Sequence, residues 1–254
     1  MPTTGRPSRF LVTCEHGGNR VPAPYRALFA SHQALLRSHR GYDPGALRLA
    51  RELAASLGAP TVLATTSRLL IDLNRSPGHP RLYSEVTRPL PLAAREEIMA
   101  RYYLPYRQRV ERQVGTLLEQ GFRVVHLSSH SFTPVLDEQE RNADVGFLYD
   151  PTRETERVFC LHWIAALRQR LPDIRLRRNY PYAGRSDGLC TWLRRRHPGN
   201  LYLGVELEVN QRHATAGGTP WQTLRRSIVS ALVEAAEMLD AHEVGLNGHP
   251  HAAA

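Results

Sequence analysis

FLVTCEHGGN, residues 10–19, joins a strand-like apolar run to a polar turn. The run Phe10–Cys14 is short, mostly apolar and β-branched at its centre, which is the pattern of a buried strand. The residues that follow it, Glu15–Asn19, include a histidine and two glycines. A buried strand that ends in polar residues favours an α/β sheet with a ligand site at the carboxyl edge of the sheet.

Three further polar clusters end apolar runs in the same way. Each of these runs predicts another strand, and the clusters are Asp72–Arg75 after residues 68–71, His130–Ser131 after 124–127, and Glu206–Glu208 after 201–205. Because the carboxyl ends of parallel strands lie at one edge of a sheet, we expect all four clusters to converge in one cleft.

Helix patterns alternate with these strands, and a short strand is predicted at 60–64, so the sequence predicts an α/β architecture. Asp43-Pro44 has the pattern of an N-cap and first-turn proline, and this helix is expected to end at Gly58. Longer helices are predicted over 92–120 with a kink at Pro105, from Asp150-Pro151, and from the capping box 219–222 to residue 240. We expect one domain over residues 1–244 and a disordered tail over 245–254.

The composition excludes some chemistries and compartments. The net charge is +9, but all 33 basic residues are arginine, so no lysine exists to form a Schiff base or act as a general base. No nucleic-acid-binding motif accompanies the charge, and a basic nucleic-acid-binding protein is kept only as an alternative. Three scattered cysteines, no secretory signal and no run of roughly 20 apolar residues predict a cytoplasmic protein without a membrane span.

Two histidines at predicted strand ends are candidate metal ligands. His16 lies on the glycine turn and His130 ends the third strand, and from both positions an imidazole can bind a divalent metal. A turn histidine bonded to a carbonyl is the alternative for His16. Asp43 can bind the metal through its carboxylate instead of capping the helix that follows. His126 lies deeper in its strand, and we expect it to be a hydrogen-bonded core residue.

Glu206 and Glu208 share one face of a strand that is otherwise apolar. Buried carboxylates are costly unless they are paired or functional, and a carboxylate beside a metal-activated water is a general base. A solvated edge strand is the alternative. Arg75 offers a planar donor fork to a substrate carboxylate, or else a structural salt bridge to Asp43 or to one of these glutamates.

Ser186 lies in Gly184–Gly188, a match to the GxSxG nucleophile pattern. That pattern requires a buried strand immediately before it, whereas Pro181 argues against a central strand here. We therefore favour a flexible substrate-binding loop, and a metal-free serine esterase that uses Ser186 is the alternative.

Taken together, these segments resemble the N-formylglutamate amidohydrolase family. They run in order from residue 10 to about 213, and they are Cys14–Pro22, Ser67–Arg75, His130–Phe132, Tyr180–Tyr182 and Glu206–Asn210. That family is similar in fold to zinc carboxypeptidases and aspartoacylases. The resemblance therefore implies a three-layer α/β/α sandwich with a central mixed, mostly parallel sheet, and metal-dependent hydrolysis of an N-acyl amide.

The resemblance also implies roles for individual residues. The metal would be zinc or another divalent ion, and the implied ligands are His16, His130 and a third residue, with Asp43, Glu15 and Asn19 as candidates in that order. The implied catalytic residues are Glu208 as general base and Arg68 at the acyl oxygen, and the implied substrate-binding residues are Arg75, Asn74 and Tyr182. Ser186 joins the substrate-binding residues because of the loop interpretation given above. The substrate would be a small carboxylated amide such as an N-formyl-like amino acid. Its acyl group and amino-acid moiety stay open, as does the oligomeric state.

Overall fold

The computed structural model describes residues 6–246. Its strands are β1 Ser8–Cys14, β2 Thr61–Leu63, β3 Arg123–Phe132, β4 Val135–Leu136, β5 Gln139–Glu140, β6 Val145–Leu148, β7 Leu176–Arg178 and β8 Tyr202–Asn210. Six of them form one sheet in the order β2-β1-β3-β8-β6-β7, and β4 pairs with β5 in a separate hairpin. All neighbours in the six-stranded sheet are parallel except β6 and β8. The prediction of a mixed, mostly parallel sheet is therefore confirmed.

Eight α-helices connect or flank the strands in the described residues. They are α1 Gln33–Arg37, α2 Ala46–Leu57, α3 Leu92–Ile98, α4 Leu104–Glu119, α5 Glu154–Arg170, α6 Leu189–Arg194, α7 Gln211–Ala216 and α8 Gly218–Leu246, and 3-10 turns cover Ala23–Tyr25 and Ala27–His32. Within residues 6–246, none of the helices has both the length and the apolar character needed to cross a bilayer.

Both faces of the central sheet are buried. Neighbouring residues of one strand enter different apolar cores: Leu11, Val124 and Tyr202 face one core, and Val12, Val125 and Leu203 face the other. Side chains of α2, α5 and α8 fill the second core, whereas α4, α6 and residues 69–86 fill the first. A sheet buried on both faces by helices makes three layers, which confirms the α/β/α sandwich.

The long helix predicted over 92–120 is interrupted by a π-helical turn at Met99–Tyr103. The backbone N–H of Leu104 bonds to the carbonyl of Met99, and Pro105 follows directly. Proline has no N–H and crowds the preceding turn, so the wider π turn accommodates it. The expected kink at Pro105 thus takes the form of a change in helix type.

Two predicted helix ends are wrong by several residues. Helix α5 begins at Glu154 with Arg153 as its N-cap, because residues 150–153 form a turn before it. Helix α8 continues to Leu246, past the predicted end at residue 240. The first two residues of the predicted tail 245–254 therefore belong to this helix, and residues 247–254 lie outside the described part of the chain.

The run 68–71 is not a strand, contrary to the sequence prediction. Leu69, Leu70 and Ile71 are buried, but they form a turn in which the N–H of Leu70 bonds to the carbonyl of Ser67. A short apolar run predicts burial without distinguishing a strand from a buried turn. Asp72 and the residues after it consequently reach the site from a loop.

Asp43 does not cap α2, contrary to the sequence prediction. The N-cap is Gly45, at a φ of 85°, and no side chain bonds to the first turn. A Cβ at Gly45 would lie 2.6 Å from the Cβ of Ala214, so glycine is required both for the backbone conformation and for this close approach. The carboxylate of Asp43 is therefore available to other partners.

Candidate metal centre and catalytic cleft

The parallel strands bring His130 and the two glutamates to one edge of the sheet. His130 in β3 lies opposite Glu208 in β8, and Ser128 lies opposite Glu206. The chain leaves β1 at Cys14, and Glu15 and His16 follow at the same edge. The predicted convergence of these three clusters is confirmed, and all of them line or border one cavity of about 820 Å³.

Three buried side chains converge within this cavity. His16, Asp43 and His130 offer ligand atoms that all lie within 4.8 Å of one another. The Nδ1 atom of His130 is 2.9 Å from Oδ2 of Asp43, and the Nδ1 atom of His16 is 3.4 Å from the same oxygen. Each of the three residues is at most 3% exposed. The two imidazoles therefore present the same ring atom to one carboxylate.

The other ring nitrogen of each histidine is held by a second carboxylate. The Nε2 atom of His16 lies 2.7 Å from Oδ1 of Asp72, and the Nε2 atom of His130 lies 3.0 Å from Oε2 of Glu15. Glu15 is itself held by the hydroxyl of Tyr106 at 2.7 Å. Histidines that bind metals commonly use their second nitrogen in this way, because the carboxylate fixes the ring orientation and raises the basicity of the ligand.

The charges in this cluster stabilise one another. Burial raises the pKa of Glu15, but the hydrogen bond and the charge of His130 outweigh it and hold the pKa below its usual range. Burial lowers the pKa of His130, but its bonds to Asp43 and Glu15 raise the pKa well above the ordinary value. Each group therefore favours the charged form of its partner.

A divalent metal fits the donor set. The Nδ1 atom of His16 is buried and has no hydrogen-bond partner within the described residues, although it faces Asp43. An unpartnered buried nitrogen is uncommon, and service as a metal ligand is a role that explains it. Two imidazole nitrogens and one carboxylate oxygen are a ligand set that suits zinc and leaves a fourth position for water or substrate.

Glu208 lies in the same cavity and is 5% exposed. Burial raises the pKa of Glu208 to about 8. The charges of Asp43 and Glu206 act in the same direction, whereas the charge of His130 opposes them. Its Oε2 atom is buried and makes no hydrogen bond to the described residues. Glu206 is half-buried, and burial also raises its pKa. The alternative of a solvated edge strand is wrong, because β8 lies between β3 and β6.

Arg68 and Asn74 lie beside the three converging side chains. Arg68 donates from Nη2 to Asp72 at 2.8 Å and from Nη1 to Asp43 at 3.4 Å. Asn74 accepts the backbone N–H of Leu189 at 2.7 Å, and its Nδ2 lies 3.5 Å from Nε2 of His130. The loop that begins near residue 67 therefore supplies polar groups which the strands alone do not.

Arg75 also lines the cavity, and it donates from Nη1 to the carbonyl of Asp187 at 3.0 Å. This contact orients the guanidinium while its remaining N–H groups are available. The alternative role of Arg75 was a structural salt bridge to Asp43, Glu206 or Glu208. Among the ion pairs of the described residues, none joins Arg75 to these carboxylates.

The three candidates for the third metal ligand lie in different environments. Asp43 faces both histidines, as described above. Glu15 instead contacts the far nitrogen of His130, and the amide of Asn19 donates to the carbonyl of Leu36 at 3.1 Å. Of the three, Asp43 has the geometry of a ligand.

The Ser186 loop lacks the context of a nucleophile elbow. Ser186 is exposed in a turn, and no strand immediately precedes it, since β7 ends at Arg178. A cis peptide bond joins Tyr180 and Pro181 in the intervening segment. Ser186 and Tyr182 both line the cavity, as expected of a substrate loop.

Sequence reasoning missed the partners that hold the site together. Asp72 belongs to the second polar cluster, but the sequence indicates no role for it, and Tyr106 falls within the predicted helix over 92–120. His126 was predicted correctly as a core residue: it is buried between the hydroxyls of Thr13 and Tyr202, at 2.8 and 2.7 Å. The pairing of a histidine with a carboxylate far away in the chain has no local sequence pattern. The one sequence signal for it is the number of acidic residues near the predicted strand ends.

A mixed sheet with a buried histidine–carboxylate cluster at the carboxyl ends of its parallel strands is an arrangement typical of α/β enzymes, which bind their ligands in such a cleft. The family described as N-formylglutamate amidohydrolase matches residues 8–214. The chain therefore belongs to the N-formylglutamate amidohydrolase family, and amide hydrolysis is the activity that this membership supports.

Two solved structures are similar over almost the whole chain. A gene product of Agrobacterium tumefaciens is 27% identical, with a TM-score of 0.77 and 92% of each chain covered. The N-formylglutamate amidohydrolase of Ralstonia eutropha is 19% identical, with a TM-score of 0.64 and coverage of 95% of this chain and 97% of that one. The second likeness, at this identity, supports the fold alone. Among curated proteins, none matches the chain at a significant level.

Proposed function

We propose that this protein is a metal-dependent amidohydrolase that cleaves the amide bond of a small N-acyl amino acid or a related carboxylated amide. One observation carries the proposal: His16 and His130 both direct Nδ1 at Oδ2 of Asp43, while separate carboxylates hold both Nε2 atoms. A structural ion-pair network would not require one of these Nδ1 atoms to be left without a hydrogen bond.

His16, Asp43 and His130 are the proposed metal ligands, and zinc is the proposed metal. A divalent metal held there supplies Lewis acidity at the acyl carbonyl and lowers the pKa of water towards neutrality. Asp72 and Glu15 keep the two imidazoles oriented, because each accepts a bond from the ring nitrogen that faces away from Asp43.

Glu208 is the proposed general base. Its unpartnered Oε2 atom accepts the proton of the attacking water and returns it to the leaving amine. Positive charge in the site favours the ionised form of a carboxylate whose burial otherwise raises its pKa. Arg68, which is 27% exposed, directs its remaining N–H groups at the oxyanion that develops on the acyl oxygen.

The amino-acid half of the substrate binds to the other arginine. Arg75 pairs with the substrate carboxylate and Asn74 lies beside it, so the scissile amide is fixed relative to Glu208. Tyr182 and Ser186 complete the wall of the cleft.

We also place the protein in the reducing cytoplasm, which suits its three free, buried cysteines.

Metal content is the test of this proposal. The protein, purified without chelator, is analysed by inductively coupled plasma mass spectrometry together with His16→Ala, His130→Ala and the control His32→Ala, which alters a histidine outside the cavity. We expect about one zinc per chain in the wild type and the control, and loss of zinc from the other two variants. Hydrolysis of N-formyl-L-glutamate or another N-acyl amino acid should follow the zinc content. A protein that takes up no metal would refute the proposal.

A further inference from the structure

The cleft is larger than a formyl group requires. Its volume is about 820 Å³, and it extends beyond the histidine cluster to the β4–β5 hairpin and the 180–188 loop. The hairpin follows His130 in the chain after only four residues, so its first residue, Val135, starts within about 18 Å of His130. The same cavity therefore contains the histidine cluster and a second wall, which the β4–β5 hairpin and the 180–188 loop form.

That second wall is apolar and exposed. Val135 is 50% exposed and Tyr182 is 44% exposed, and both line the cavity together with Leu136. We call these three residues the lip. Most large apolar side chains of the described residues are buried, and two of the five that are most exposed belong to the lip. Exposed apolar surface concentrated at the mouth of a cleft is typical of a binding site.

Polar bonds join the two halves of the lip. Arg141 is 8% exposed and donates from Nη1 to the hydroxyl of Tyr182 at 3.0 Å, and its guanidinium carbon lies 5.0 Å from the ring centroid. The backbone N–H of Arg141 bonds to the carbonyl of Pro134, directly before the hairpin. The N–H of Asn142 bonds to the hydroxyl of Tyr180. The tyrosine is thus held in place by Arg141, which lies over one face of the ring, while 44% of the residue stays exposed.

The lip lies at the acyl end of the bound substrate. Arg68, the residue proposed to face the acyl oxygen, lines the same cavity as Tyr182, and the hairpin residue Val135 follows the proposed metal ligand His130 by five residues. The carboxylate end is assigned to Arg75, which contacts Asp187 further along the same loop. An acyl chain that leaves the scissile carbonyl therefore meets the lip.

We propose that Val135, Leu136 and Tyr182 bind the acyl group, so that the enzyme prefers amino acids with an apolar N-acyl chain of several carbons over N-formyl amino acids. This inference rests on the proposed amidohydrolase function and specifies its substrate class. Complete burial of one methylene contributes roughly a fourfold gain in binding, so a half-open lip should give roughly two- to threefold per methylene.

The test measures kcat/KM for N-formyl-, N-acetyl-, N-butanoyl- and N-hexanoyl-L-glutamate with the zinc-loaded enzyme. The hexanoyl group has five more carbons than the formyl group, so we expect the ratio of the hexanoyl to the formyl value to be roughly 30-fold or more. Val135→Ser and Tyr182→Ser should each lower this ratio. Leu92→Ser is the matched control, because Leu92 is 62% exposed but lies outside the cavity, and it should leave the ratio unchanged.

Two negative results have different meanings. If N-formyl-L-glutamate is hydrolysed but the ratio is flat, or if Val135→Ser and Tyr182→Ser do not change it, the lip does not bind the acyl group and the proposed function stands. If none of the substrates is hydrolysed, the proposed function fails. Calorimetric titration then measures the dissociation constants of the same compounds and tests whether the lip binds the acyl group. Dissociation constants that do not fall with acyl length would then overturn the inference.

Discussion

Asp72 is the residue whose replacement tests the metal centre most directly. Its Oδ1 atom lies 2.7 Å from Nε2 of His16, and its Oδ2 atom accepts from Arg68 at 2.8 Å. Burial raises the pKa of Asp72, but the charges of Arg68 and His16 hold it well below the usual value, so the residue is a carboxylate at neutral pH. Asp72→Asn keeps the shape of the side chain and removes this charge.

The expected consequence is weaker zinc binding. A hydrogen bond to a charged group contributes about 1.5–3 kcal/mol, and loss of a carboxylate that orients a metal-binding histidine costs about 10- to 100-fold in metal affinity. The two figures agree, since a tenfold change is about 1.4 kcal/mol. We therefore expect the zinc dissociation constant of Asp72→Asn to rise by about 10- to 100-fold.

The assay is competition for zinc with a chromophoric chelator, combined with thermal denaturation to establish that the variant is folded. Asp187→Asn is the matched control, because the carboxylate of Asp187 lines the same cavity but accepts from the backbone of Ser76. A folded Asp72→Asn protein with the zinc affinity of the wild type would show that Asp72 does not support a metal ligand. That result would contradict the assignment of His16, Asp43 and His130 as one metal centre.

Four further changes test other parts of the structure. Glu208→Gln should abolish turnover while zinc remains bound, so measurable hydrolysis by this variant would remove Glu208 from the mechanism. Arg75→Ala should raise KM for carboxylated substrates more than it lowers kcat, and an unchanged KM would exclude the carboxylate contact. Ser186→Ala should lower kcat by less than about tenfold, because its hydroxyl is exposed in a turn, whereas a larger loss would revive the serine mechanism. Asp144 accepts bonds from Arg175, Arg212 and His213, so Asp144→Asn should cost about 1–2 kcal/mol of unfolding free energy at pH 7 in urea titrations. Burial raises the pKa of Asp144, but the bonds from His213 and Arg212 lower it below the unfolded value, so this stabilisation is present above about pH 4 and is lost as the pH falls through the folded pKa. A difference between the two proteins that does not shrink in acid would contradict this assignment.

The strands that carry the site were predictable from local sequence. The runs that became β1, β3 and β8 are mostly apolar and end in polar residues, which is the pattern of parallel strands buried in the centre of a sheet. Their carboxyl ends lie at one edge, so the strand assignment alone places His130 and Glu208 at the same edge of the sheet. Their direct apposition depends on β3 and β8 being neighbours, which only the structure shows.

The loop residues were not predictable in the same way. Leu69–Ile71 are as apolar as a strand, yet they fill the core below the sheet as a turn, because burial and not backbone conformation is what apolar residues indicate. Asp43 likewise matched the pattern of an N-cap, but Gly45 takes that position and the carboxylate turns to the histidines. Local patterns drew attention to Asp43 and Asp72. Their partners depend on how α2 and the 67–75 loop pack against the sheet, which local patterns do not predict.

The distribution of hydrogen bonds distinguishes the proposed general base from the carboxylates that hold the histidines. Glu15, Asp43 and Asp72 each face a histidine and a further donor, and their charges are balanced within the described residues. Glu208 lies beside them with one oxygen buried and unbonded, which costs free energy in the folded protein. A structural role would not require this cost, because an apolar residue would fill the same position in β8 more favourably. A carboxylate that must take up and release a proton does require a free oxygen, and for this reason we assign the chemistry to Glu208 and the positioning of the histidines to Glu15 and Asp72.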